Sequence, residues 1–170
     1  EDVAAAAAVA LGRIGDAAAT KVLRAALPKA ADGVRSAVAE GCILCAERLM
    51  TAGSNEDAAK IYDEVRTAEV PKPRVLEATR GAILAGKSGG VELLMEQIRS
   101  PDKGFYYIGL STARELPGAE VTKAIAAELA NVSEDHAAVL LKVLGDRNDP
   151  AAGPAVLAAL KSDSKRVRIA

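Results

Sequence analysis

LGRIGDAAATKVLRAAL, residues 11–27, superimposes without a gap on LGDRNDPAAGPAVLAAL, residues 144–160. Leu11 meets Leu144, Gly12 meets Gly145, Asp16 meets Asp149, and Leu27 meets Leu160. Self-similarity within one chain marks a repeat architecture, so division into units comes before any single motif. Between the two stretches, segments close on apolar residues at Leu27, Val65, Ile98, Leu129 and Leu160, at spacings of 38, 33, 31 and 31. Each unit reads as a first helix, a short Gly/Asp/Pro break and a second helix.

First helices are expected to begin near Val3, Val34, Arg74, Phe105 and His136, and second helices near Ala17, Asn55, Gly90, Gly118 and Ala151. Turn-forming residues fill the connectors between units: ADG (31–33), VPKP (70–73), SPDKG (100–104), NVSED (131–135) and KSDSK (161–165). One helix pair cannot cover its own apolar face, so pairs must stack. The expected fold is therefore all-α, a right-handed α-solenoid of about five antiparallel helix pairs in a HEAT- or armadillo-like superhelix. One array over residues 1–170 is expected, with units at 1–33, 34–73, 74–104, 105–135 and 136–165 and another beginning at 166–170. A helical start without a cap and a final RVRIA that opens a further helix suggest a slice of a longer array, with further repeats or a catalytic domain expected beside it.

Composition agrees with this fold class. The 170 residues are half apolar, enough for a continuous core, yet they hold no Trp, one Phe and three Tyr. Alanine runs such as AAAAAVALG (4–12) favour helix and let helices approach closely. With 22 basic and 23 acidic residues the net charge is -1, which gives no global field for nucleic acid or an anionic membrane. No apolar run reaches the roughly 18 residues a membrane span requires, and no signal-peptide pattern is present, so the compartment stays open.

ALGRIGDAAATKVLRAAL, with its L-G-x-I-G-D turn before an Ala-rich helix, resembles the bacterial HEAT-like repeat of the phycobilisome-lyase type. VLGDRNDPAAGPAVLAAL keeps the L-G, the Asp-Pro and the closing Leu. The likeness is looser in the middle units, and AERLMTAGSNEDAAKIYDEV in the second is similar to a tetratricopeptide unit with a longer second-helix region. The resemblance implies a fold and a habit of binding partners, and no chemistry.

Several motifs invite sharper readings. GAILAGKS (81–88) satisfies the phosphate-loop pattern letter for letter, but RVLEATR before it is helical in spacing rather than a buried strand, so no nucleotide is expected. In that reading Gly86, Gly89 and Gly90 break the helix, with Lys87 and Ser88 exposed at the bend. Cys42 and Cys45 form a C-x-x-C without the His of a haem site or a second pair for zinc, and they fall in mid-helix as core residues. His136 follows Ser133, Glu134 and Asp135, which suit a helix cap and first turn better than a metal or acid–base site. NVS (131–133) matches the glycosylation pattern within a connector. In FYY (105–107), Phe105 joins the core with Ile108 and Thr112, leaving Tyr106 or Tyr107 to reach outward. No catalytic, cofactor-binding or metal-binding set is expected.

Second helices of stacked pairs usually line the concave side. If the closing residues and their i-4 neighbours face the core, the adjacent stripe faces the groove. That stripe holds Lys21, Arg24, Tyr62, Arg66, Glu92, Met95, Arg99, Lys123 and Lys161, and leans basic. The expected function is a non-catalytic scaffold that binds a protein or peptide, with an acidic segment as the preferred contact. Nucleic-acid binding through the same stripe is the alternative, disfavoured by the few aromatics and the neutral charge. An accessory role beside a catalytic domain is a second alternative.

Overall fold

A computed structural model describes residues 2–170, apart from the side chains of Lys87 and Ser88. Every regular element among the described residues is helical. The chain divides into two compact units, Glu1–Gly90 and Val91–Ala170.

In the first unit, α1 (Asp2–Ile14) and α2 (Ala17–Ala26) are followed by α3 (Asp32–Thr51), α4 (Asn55–Arg66) and α5 (Lys72–Ala85), with α6 (Lys87–Ile98) crossing the boundary. The first helices α1, α3 and α5 lie side by side in that order, and α3 also meets α2 and α4. In the second unit, α7 (Lys103–Glu115), α8 (Ala119–Glu128), α9 (Glu134–Arg147), α10 (Gly153–Ala159) and α11 (Lys165–Arg168) follow. There α9 lies against α7, α8 and α11.

The first helices begin within two residues of their expected starts and the second helices within three, because breaks and caps fix them. The repeat aligned in sequence is also aligned in conformation. Gly15 and Asn148 both adopt left-handed backbone, with φ of 61° and 49°, and Asp16 and Asp149 then cap the next element by accepting backbone N–H bonds. Two details differ from expectation. AERLMT belongs to the 20-residue α3, so the first helix of that pair is the longer one. Gly89 and Gly90 lie inside α6; only Gly86 breaks the chain there, and the expected exposure of the Lys87 and Ser88 side chains lies outside the described residues.

Small residues set the helix spacing. A Cβ on Gly12 would lie 2.6 Å from the Gly41 Cα, so α1 and α3 cross backbone to backbone, and Leu23 of α2 sits over the same glycine. Gly81 of α5 likewise seats the Tyr62 ring of α4, which places the first glycine of GAILAGKS in a helix-packing contact rather than a phosphate-binding loop. Cys42 and Cys45 are both fully buried in α3, and burial pushes the Cys42 thiol up to about 12, with Cys45 adding to the rise, so it is not a reactive thiolate at neutral pH. Of the closing residues, Leu27, Val65 and Ile98 are buried, Leu129 is half-buried, and Leu160 is exposed.

Candidate interaction groove

The Asp16 cap fixes where α2 starts, and so which side chains it turns in each direction. Ala19 and Leu23 are buried, which leaves Lys21, Arg24 and Ala25 on the open side. On α4 the buried arc is Ala58, Ile61, Tyr62 and Val65, and Asp57 and Glu64 flank it. Between α2 and α4 runs an open groove of about 820 Å³ whose apolar lining includes Leu27, Leu49 and Ile61. Alanines 17, 25 and 68 leave it wide.

One ion pair spans this groove. The Arg24 guanidinium donates twice to the Glu64 carboxylate, with Nε to Oε2 at 2.8 Å and a second bond from Nη2 to Oε1. That bond raises the Arg24 pKa further above its ordinary value. Both side chains are about two-fifths exposed. An exposed pair of this kind contributes roughly 0–1 kcal/mol, so a ligand can displace it at little cost. Lys21 stands on the same rim and is exposed. In the second unit a smaller groove of about 390 Å³ is lined by α8, α9 and α10, chiefly by alanine, leucine and valine.

The structure redistributes the expected stripe. Tyr62 and Met95 are buried, 2% and 6% exposed, and belong to the core. The physical reason is the width of the buried arc: an apolar stripe wider than 100° takes in the neighbour of each core residue, so 61 and 62, and likewise 94 and 95, turn inward together. Arg66 pairs with Asp63 on its own helix, and Lys123 with Glu120. Arg99 is exposed and bonds at 2.6 Å to Glu128, a carboxylate almost wholly buried. With Arg24 on Glu64, four of the expected cations each face an acid, so the basic lean is cancelled locally. Glu92 and Lys161 are exposed. Sequence reasoning missed Glu64 and Asp57; Glu64 meets its partner 40 positions away, and no local pattern announces that.

The Arg99 guanidinium holds the Glu128 carboxyl below its ordinary value, against the opposite push of burial. A carboxyl lowered in the folded state contributes stability that is fully present above the ordinary value of 4.5 and is lost as pH falls through the lowered one. Arg99→Gln should therefore destabilise the chain clearly at neutral pH and much less in strong acid. Urea unfolding at both conditions measures this, and an equal loss at both would contradict it.

The aromatic cluster resolves as follows. Tyr107 is the outward ring, 64% exposed, and Tyr106 is half-buried and stacks on His136 with ring centroids 5.0 Å apart. The His136 backbone N–H donates to the Ser133 hydroxyl, which caps α9. Among the described residues, no group of three or more His, Cys, Asp or Glu is placed to hold a metal ion. Among the same residues, no helix is long and apolar enough to cross a membrane.

No family model matches the chain, and no curated protein matches it in sequence.

Proposed function

We propose that the chain is a HEAT-like right-handed solenoid, a non-catalytic interaction module that holds a peptide or protein segment in the groove between α2 and α4. The observation that carries this reading is the open groove of about 820 Å³ with an apolar floor and a weak, displaceable ion pair across it. An apolar cleft with a few convergent polar groups is the usual form of a recognition site. The side-by-side order of α1, α3 and α5, with α2 and α4 against α3, is the local pattern from which a solenoid is built. The preferred ligand carries an apolar anchor for Leu27, Leu49 and Ile61 beside a carboxylate that takes Arg24 from Glu64 and meets Lys21 on the rim.

Selection from a library of short random peptides tests this. Enriched sequences should pair an acidic residue with a nearby apolar one, and their binding should fall at least about tenfold, roughly 1.4 kcal/mol, on Lys21→Glu and on Ala25→Trp, which fills the groove. Peptides that bind both variants as well as the unaltered chain would place the site elsewhere. Arg99→Glu is not a suitable probe, since it would set a second carboxylate against the buried Glu128.

A further inference from the structure

Opposite charges line the two walls of the α2/α4 groove. The α2 side carries Lys21 and Arg24, three positions and so about one helical turn apart. The α4 side carries Asp57 and Glu64, seven positions or about two turns apart. Walls and floor all come from residues 15–68, inside the first compact unit.

The two acids are held differently. Asp57 accepts from Lys60 of its own helix at 2.8 Å, so it keeps a partner whatever the groove contains. Among the described residues, only Arg24 donates to the Glu64 carboxylate, and it does so from the opposite wall. A ligand that takes Arg24 therefore leaves Glu64 without its donor.

That loss decides which ligand fits. A purely acidic segment exchanges one carboxylate for another on the same guanidinium, and its charge then stands beside the released Glu64, which repels it. Lys21 on the rim offsets part of that repulsion. A segment that also carries an ammonium or guanidinium group gives Glu64 a new partner, so two ion pairs form where one stood before. The Asp57 charge adds to the pull on such a group. It already reaches Arg24, whose pKa is raised chiefly by the Glu64 bond and further by Asp57.

We propose, on the same reading of the groove, that its occupant is a mixed-charge peptide segment. An acidic side chain turns toward Lys21 and Arg24, a basic one toward Glu64, and an apolar one rests on the floor at Leu49 and Ile61. Glu64 sets this preference, since it binds the basic side chain and repels a segment that lacks one.

A library of short random peptides, selected on the unaltered chain, supplies the probe. Enriched sequences should hold a lysine or arginine as well as the acidic and apolar residues. The most enriched is then synthesised with blocked ends and with that basic residue as lysine or as acetyl-lysine, which carries no charge. Fluorescence anisotropy should show acetylation weakening binding to the unaltered chain about two- to fivefold, the contribution of one exposed ion pair. Glu64→Gln should abolish that difference. The acetylated peptide should also bind Glu64→Gln more tightly than the unaltered chain, because Arg24 is then free of its internal competitor. Enriched peptides with no basic residue, or an acetylation effect of equal size in both proteins, would overturn the proposal while leaving the groove as the binding site. Peptides indifferent to Ala25→Trp, or no enrichment at all, would remove the groove reading itself and this proposal with it. The comparison of the two peptides on the unaltered chain does not depend on how the variant folds.

Discussion

Gly41→Val should lower the melting temperature of the chain by about 10 °C, whereas Gly145→Ala, at the counterpart of the Gly12 that Gly41 meets, should leave it unchanged or raise it. Two effects oppose each other when a helical glycine gains a side chain. Removing glycine from a helix interior stabilises it by roughly 0.5–1 kcal/mol. A Cβ driven into a filled contact costs about 1–3 kcal/mol, and the second methyl of valine adds to it. At Gly41 the new Cβ would lie 2.6 Å from the Ala8 carbonyl oxygen and 3.0 Å from a Leu23 methyl, so the clash wins. At Gly145 it would meet nothing within 4 Å, so only the favourable effect remains. A net loss of about 2 kcal/mol at Gly41, at about 4–8 °C per kcal/mol for a unit of this size, gives the expected shift. Thermal melts followed by circular dichroism read both variants, and a Gly41→Val protein as stable as the unaltered chain would mean that α1 and α3 do not cross there.

Arg147→Ala should cost about 3 kcal/mol, and Arg147→Lys should recover less than half of it. The guanidinium reaches back to the bend between α7 and α8. It donates to the carbonyl oxygens of Ala113, of Leu116 at 2.7 Å and of Gly118 at 3.0 Å, and to Thr122 Oγ1 at 3.0 Å. Thr122 in turn donates to Asp149 at 2.7 Å. Burial pushes the Arg147 pKa below its ordinary value, with Asp149 opposing the shift. A bond from a charged donor contributes roughly 1.5–3 kcal/mol, and such bonds are not additive when they share one group. Lysine offers a single point of charge that cannot reach three carbonyls in a fork. Urea unfolding compares the three proteins, and a lysine variant as stable as the unaltered chain would show that the fork geometry does not matter.

Helix positions were largely legible in the sequence because they depend on local chemistry. Gly15, Asp16, Asp102 and Ser133 each act within a few residues of where they stand, through turn geometry or a cap. The groove was only partly legible. Lys21 and Arg24 fall on it as periodicity predicts, but periodicity does not fix how wide the buried arc is, and Tyr62 and Met95 sit just inside its edge. The notch that accepts the Tyr62 ring is made by Gly81 on another helix. Leu160 shows the converse: its pattern is that of Leu27, yet among the described residues none covers it and it is exposed.

The side chains that tie one helix pair to another do so over 25 to 40 positions of chain. Arg24 reaches Glu64 across 40 positions, Arg74 reaches Glu40 across 34, Arg114 reaches Asp146 across 32, and Arg147 reaches Thr122 across 25. Each tie is therefore a conversation between adjacent pairs. Each of these ties lies within one of the two compact units, so damage to one pair is expected to reach first the pair it is tied to.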